Sequence, residues 1–97
     1  MAQSIDVIRK NSTTHGSYEA EIDGVAAKAE LTWKARDDLR IADHTFTPPA
    51  ARGRGIALML VEALVADARA DGFKVLPQCP YVVNAFNRNP GWADVRA

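Results

Sequence analysis

The chain has 97 residues, 47% of them hydrophobic and 25% charged, which is typical of one small globular domain and excludes a disordered chain. Twelve basic and twelve acidic residues give a formal net charge of zero, which argues against a general nucleic-acid-binding protein. One cysteine excludes an internal disulfide, and the longest apolar run, Ile56 to Val61, is far below the roughly 18 residues of a membrane span, so we expect a soluble cytoplasmic domain over residues 1–97.

Two short strands are predicted at the start of the chain. Residues around Ile5 and Val7 form the first strand, which ends before Asn11. In the second strand the apolar side chains of Tyr18, Ala20 and Ile22 alternate with acidic ones. This is the period-2 pattern of a half-buried strand.

Turn residues then predict two hairpins. Asp23-Gly24 matches a two-residue hairpin turn, because both central positions tolerate positive φ. We therefore expect a third strand, Val25 to Trp33, that runs antiparallel to the second. Asp37-Asp38 marks the next turn, and a fourth strand from Leu39 to Thr47 is stopped by two prolines.

Helical spacing begins in the second half. Apolar residues from Gly55 to Ala70 recur with the helical period, and Gly72 follows where a C-cap glycine belongs. A short buried strand, Phe73 to Leu76, comes next. Pro80 suits the first position of a second helix through Asn87. The order ββββ-α-β-α predicts a mixed α/β, or α+β, fold with a mostly antiparallel sheet.

A glycine- and arginine-rich loop, RGRGIA, lies between the fourth strand and the first helix. Helix N-termini bind phosphate through free backbone N–H groups, glycines allow close approach, and arginines add forked donors. A P-loop and a dinucleotide fingerprint do not fit, whereas an R-x-x-G-x-A pattern does, at Arg52, Gly55 and Ala57. A tight turn with solvated arginines is the alternative.

Acidic residues avoid the regions around this loop. None occurs between Asp43 and Glu62, or between Asp71 and Asp94. Four basic residues lie inside these two windows: Arg52, Arg54, Lys74 and Arg88. If the windows meet in space, a neutral protein has one electropositive region, as a polyanionic cofactor requires.

Three segments together resemble a minimal single-domain branch of the GCN5-related N-acetyltransferases. They are His44 to Pro49, Arg52 to Ala57, and Pro77 to Val82, which are similar to H-T-x-V-P, R-G-x-G-[IL]-A and P-x-C-x-[YF]. Thr47 departs from the usual valine. The resemblance implies a compact acyl-CoA N-acyltransferase fold with acetyl-coenzyme A as cofactor, and a sheet that splays between its fourth and fifth strands.

The resemblance also implies the cofactor contacts. The pyrophosphate is expected on the backbone of the loop and the pantetheine arm beside the fourth strand. Asn84, with Ala85 and Phe86, resembles an N-A-[FY] pattern whose asparagine contacts the coenzyme. The other implied cofactor-binding residues are Thr45, Phe46, Thr47, Arg52, Gly53, Arg54, Gly55, Ile56 and Ala57.

Cys79 and His44 are the candidate catalytic residues. Pro80 places Cys79 at a helix N-cap, which lowers the pKa of a thiol. The resemblance puts it near the acetyl group, where it either forms an acetyl-enzyme or lines the pocket; burial as a small hydrophobe is the structural alternative. His44 is a candidate base for the attacking amine or a hydrogen-bonding strand residue. The few His and Cys residues, far apart, predict no metal site.

We therefore expect an acetyl-CoA-dependent N-acetyltransferase that acts on an amine of a small molecule or a protein. The alternative is a coenzyme A-binding or protein-interaction module with little or no catalytic activity. We expect a monomer or weak dimer without nucleic-acid or membrane partners.

Overall fold

A computed structural model describes residues 6–97 and contains five strands and two α-helices. In chain order they are β1 (Val7–Asn11), β2 (His15–Ala20), β3 (Ala29–Arg36), β4 (Leu39–Phe46), α1 (Ile56–Asp71), β5 (Lys74–Pro77) and α2 (Pro80–Arg88). The predicted order ββββ-α-β-α is confirmed. Short 3₁₀ helices follow β4 at Pro49–Ala51 and α2 at Pro90–Val95, and neither was predicted. Ile5 lies outside the described residues.

The five strands form one sheet in the order β1-β2-β3-β4-β5. The first three pairings are antiparallel, as in a meander. β5 lies parallel to β4, because α1 carries the chain back across the sheet before β5 begins. The predicted mixed, mostly antiparallel sheet is therefore confirmed.

The predicted two-residue turn between β2 and β3 is wrong. The strands are joined by the longer connection 21–28, in which Asp23-Gly24 forms a local turn closed by a hydrogen bond from Val25 N–H to the Ile22 carbonyl (3.0 Å). Only Gly24 of the pair has a positive φ (78°), whereas the tight I′ hairpin turn needs two such residues. Ile22 lies outside the strand but is buried, so its side chain anchors the connection to the core.

Several predicted boundaries agree closely with the structure. Asp37 and Asp38 alone separate β3 from β4, and Asp37 adopts a left-handed φ of 56°. Gly72 ends α1 in a left-handed conformation and donates its N–H to the Ala68 carbonyl (2.9 Å). Pro80 is the first residue of α2, with Cys79 at the N-cap.

The core lies between α1 and one face of the sheet. Side chains of β3 alternate between buried residues on this face (Ala29, Leu31, Trp33) and more exposed residues on the other, which we call the outer face. The apolar face of α1 covers the sheet with Ile56, Leu60, Val61, Leu64, Val65 and Ala68. Among the described residues, no helix has the length and hydropathy of a membrane span.

A β-bulge in β4 reverses the faces of its second half. Thr32 pairs with His44 whereas Trp33 pairs with Ala42, so Asp43 is the extra residue. The Asp43 carboxylate accepts a hydrogen bond from the Thr32 hydroxyl (2.6 Å) on the outer face. Because Asp43 and His44 both lie on the outer face, Thr45 instead of His44 points toward the helices.

Candidate functional site

β4 and β5 separate at the end of β5. They pair from Leu39 to Ala42 only, and the carbonyl of Ala42 then accepts two N–H groups, from Gln78 and Cys79, at 3.0 Å each. Beyond this fork, no ladder joins the end of β4 to the start of α2. The Thr45 hydroxyl lies 3.4 Å from the Cys79 sulfur across the gap. The end of β4 and the N-terminus of α2 thus face each other across an opening in the sheet.

The loop before α1 presents the helix N-terminus with its backbone exposed. Gly53 and Gly55 adopt left-handed φ angles of 84° and 74°, which other residues rarely adopt. Gly55 is the N-cap, and its carbonyl accepts the first helical hydrogen bond from Met59 (3.2 Å). Within the described chain no side chain caps this helix, and its first turn holds no acidic residue. The free N–H groups and the helix dipole therefore favour an anion here.

A cavity of about 520 Å³ lies at this loop. Tyr81 of α2 forms one wall of it. Arg52 is fixed beside it, because its Nε donates to the Thr47 carbonyl (3.3 Å). Arg54 belongs to the same loop and is exposed, but it is not among the lining residues. The structure brings eight predicted cofactor-binding residues to this cavity: Thr45, Phe46, Thr47, Arg52, Gly53, Gly55, Ile56 and Ala57.

Asn84 lines a neighbouring cavity of about 290 Å³ between α1 and α2. Leu58 of α1 forms one side of it, and Asn84 and Arg88 of α2 form the other. Tyr81 lines both cavities, so its half-exposed ring stands between them. Two cavities are therefore adjacent where α2 passes the start of α1.

Cys79 is half-buried at the N-cap of α2. Burial acts to raise the pKa of its thiol, but the Thr45 hydroxyl and the nearby backbone N–H groups of Tyr81 and Val82 outweigh it, so the pKa is lowered from its ordinary value. The Cys79 side chain forms no capping hydrogen bond. The thiol thus lies in the gap, with a larger thiolate fraction than a free cysteine has at the same pH.

His44 lies apart from this cavity. It is exposed on the outer face of β4, opposite Thr32 of β3, and lines neither of the two cavities. Within residues 6–97 its ring makes no hydrogen bond. The structure thus brings Cys79 and Thr45 together but directs His44 toward the other side of the sheet.

The charges around the two cavities are unpaired. All the salt bridges of the described residues involve other basic groups: Arg9, Lys10, Lys28, Lys34 and Arg69. Arg54 and Arg88 have no hydrogen-bonded or ionic partner in residues 6–97. The two sequence windows without carboxylates meet at the larger cavity, which holds residues from both. The described residues contain no cluster of three or more side chains suited to a metal ion.

Sequence reasoning missed the role of Tyr81 as the wall between the cavities. The sequence places Tyr81 only as the aromatic position of the third segment, two residues after the cysteine. The sequence puts this aromatic residue on the first turn of a predicted helix, but its exposure, which often marks a binding surface, is seen only in the structure.

The structure is a mixed α/β fold in which a five-stranded sheet opens beside a helix N-terminus that no side chain of the described residues caps. The sequence profile of one family, described as GCN5-related N-acetyl-transferase, matches residues 17–95. The chain therefore belongs to the GCN5-related N-acetyltransferase family. Its fold is similar to the solution structure of a GCN5-like protein from Staphylococcus aureus, with a TM-score of 0.64 and 22% identity over 93% of this chain and 87% of that one.

Proposed function

We propose that this protein transfers an acetyl group from acetyl-coenzyme A to an amine. The observation that carries the proposal is that Thr45 borders both the larger cavity and the gap between β4 and β5. Thr45 lines the cavity and also lies 3.4 Å from the Cys79 sulfur in the gap. A cofactor with an anionic end at the loop can therefore reach the opening in the sheet with its thioester end.

The residues at the loop fit the anionic part of this cofactor. The uncapped N-terminus of α1 offers backbone N–H groups to a pyrophosphate, and the left-handed Gly53 and Gly55 leave space for close approach. Arg52 and Arg54 add positive charge, since no carboxylate in residues 6–97 neutralises them. Beyond Ala42 the edge of β4 at Thr45 and Phe46 is not paired with β5, and this edge, with Thr47 directly after it, suits the amide groups of the pantetheine arm.

The acetyl transfer itself requires the amine to attack a carbonyl carbon while a proton leaves the nitrogen. When bound, acetyl-coenzyme A supplies the thioester, whose C–S bond breaks as the new C–N bond forms. Thr45 and Cys79 line the place where this carbonyl would lie. His44 can accept the proton only from an amine that approaches from the outer face, because its ring lies there.

Cys79 has two roles in this scheme, and they have different consequences. In direct transfer, the thiol lines the acetyl pocket, and Cys79→Ala retains most of the activity. In the second variant, the Cys79 thiolate first takes the acetyl group, and coenzyme A leaves before the amine attacks. Cys79→Ala then abolishes turnover, and acetylation of this residue is visible by mass spectrometry of the protein incubated without an acceptor.

Calorimetric titration with acetyl-coenzyme A tests the binding step. We expect Arg54→Ala to weaken binding roughly tenfold, because a charged contact to phosphate is lost. Cys79→Ala should leave the dissociation constant unchanged. Arg36→Ala is the matched control, since this exposed arginine ends β3 and pairs with Leu39 at the start of β4, roughly 23 Å along that strand from Phe46 at about 3.3 Å per residue. Binding that is insensitive to Arg54, or absent at millimolar cofactor, contradicts the proposal.

Turnover with a panel of primary amines tests the chemical step. Release of free coenzyme A that depends on the acceptor supports the transferase. Binding of acetyl-coenzyme A without any transfer would instead favour a coenzyme-binding module that acts through a protein partner.

A further inference from the structure

The second cavity, the one of about 290 Å³, is lined by a positively charged residue, Arg88, that does not belong to the loop before α1. It lies on the far side of Tyr81 from the loop, between Leu58 of α1 and the exposed face of α2. Arg88 and Asn84 line it from successive turns of α2, since residues four apart share a helix face. An anion at the loop and an anion beside Arg88 would therefore be held on opposite sides of one tyrosine ring.

Arg88 differs from the arginines that stabilise the fold. Arg9 and Arg69 bind carboxylates, at 2.8 and 3.0 Å. Arg88 is exposed and has no such partner within residues 6–97, and the segment 72–93 around it contains no acidic residue. Burial raises the pKa of Tyr81, the charge of Arg88 opposes this shift and that of Glu62 adds to it, so both charges lie near the ring.

We infer that the second cavity binds the 3′-phosphate of coenzyme A through Arg88, with the Asn84 amide as a further donor. This inference rests on the proposed function. Coenzyme A carries two separate anionic groups, a pyrophosphate and a phosphate on the ribose, and the described residues offer positive charge without a carboxylate partner at two separate places, the loop and Arg88. A cofactor without the ribose phosphate fills the loop but leaves Arg88 without a partner. Arg88 is therefore the residue that distinguishes coenzyme A from its 3′-dephospho form.

The test compares acetyl-coenzyme A with acetyl-3′-dephospho-coenzyme A by calorimetry. The unchanged protein should bind the phosphorylated form roughly tenfold more tightly, as expected for one charged contact at an exposed site. Arg88→Gln should remove this difference by weakening only the phosphorylated form. Glu62→Gln should widen the difference, because it removes a negative charge near the same phosphate. Arg36→Gln, at the exposed end of β3, is the control for a general loss of positive charge.

Each outcome is decisive. Equal affinity for the two forms in the unchanged protein overturns the inference and leaves the proposed function intact. An equal loss of affinity for both forms in Arg88→Gln also overturns the inference, because the arginine then contributes to binding without contacting the ribose phosphate. If the unchanged protein binds neither form, the proposed function and this inference fail together. Retention of the difference in Arg36→Gln and its loss in Arg88→Gln support the assignment.

Discussion

On β1, on β2 and on the side of α1 that faces them, the carboxylates are neutralised by close partners. Asp67 of α1 accepts hydrogen bonds from the Tyr18 hydroxyl (2.6 Å) and from Arg9 Nε (2.8 Å). Glu19, 8% exposed, lies between Lys10 (3.3 Å) and Lys28 (3.4 Å). We call these elements and their contacts the paired region. Its polar groups connect one element to another, so their interaction energy contributes to folding.

The loop before α1 and the facing side of α2, here called the loop region, have the opposite arrangement. Arg54 and Arg88 are exposed, and within the described residues no carboxylate binds them. Exposed unpaired charges contribute little to folding but attract an oppositely charged ligand. A protein of zero formal net charge can therefore keep a positive site by pairing its carboxylates elsewhere. Substitutions in the paired region should change stability, and those in the loop region should change binding.

The largest effect is expected from Gly16 of β2. A Cβ at this position would lie 2.6 Å from the Trp33 ring and 2.7 Å from Asn11 Oδ1, and the ring is buried and cannot move aside. We expect Gly16→Ala to lower the free energy of unfolding by about 2–3 kcal/mol through overpacking. Urea unfolding measures this change in the free energy of unfolding. Gly91→Ala is the matched control, because an added Cβ there meets nothing within 4 Å. Equal stability of the two variants would contradict this account of the paired region.

A smaller, pH-dependent effect is expected at Asp67. Partial burial acts to raise the pKa of its carboxyl group, but hydrogen bonds from Arg9 and Tyr18 outweigh it and lower the pKa. A carboxyl group with a lowered pKa stabilises the fold above its unfolded pKa and loses this contribution as the pH falls through the folded value. Asp67→Asn should therefore cost about 1–2 kcal/mol at pH 7 and less at pH 3.

Urea unfolding of Asp67→Asn at both pH values checks this dependence. The control is Asp71→Asn, at the exposed end of the same helix, where the described residues form no salt bridge to the carboxylate. A cost for Asp67→Asn that stays constant between pH 7 and pH 3 would show that its charge is not what stabilises the paired region.

The smallest effect, in the loop region, is a change in the reactivity of one thiol. The Thr45 hydroxyl helps to lower the pKa of Cys79 against the effect of burial, so Thr45→Val should raise this pKa. The rate of alkylation by iodoacetamide against pH reports it directly, because the chain contains one cysteine. The midpoint should move to higher pH without a change in the free energy of unfolding. Thr32→Val, on the outer face, is the control and should leave the midpoint in place. An equal shift of the midpoint in Thr32→Val would contradict a specific effect of the Thr45 hydroxyl on the thiol.

The sequence was sufficient for features that depend on neighbouring residues. The left-handed Gly72 at the end of α1 and Pro80 after the Cys79 N-cap follow from local backbone preferences, and both are found. The R-x-x-G-x-A segment likewise indicated a loop that opens a helix. These signals located the loop region and the order of elements around it.

Features set by pairing between distant segments could not be predicted in this way. Strand alternation puts His44 and Thr45 on opposite faces, but the bulge at Asp43 decides which of them faces the helices, and the bulge arises from the register with β3. The connection 21–28 was predicted too short because Asp23-Gly24 is a good local turn in either case. Tyr81 separates two cavities only because α2 packs beside α1, and no residue near it in sequence shows this.

The parallel crossover also has a consequence for the order of folding. β1 to β4 pair through short connections, whereas Leu39 meets Lys74 only after α1 has formed and crossed the sheet. Closing this longer loop costs more chain entropy, so the fork at Ala42 should be assembled after the meander and open before it. The amide protons of Gln78 and Cys79, both bound to that carbonyl, should exchange with solvent faster than those in the middle of β3. Both walls of the proposed acetyl pocket would then come together in the last step of folding, where a bound ligand can slow their separation.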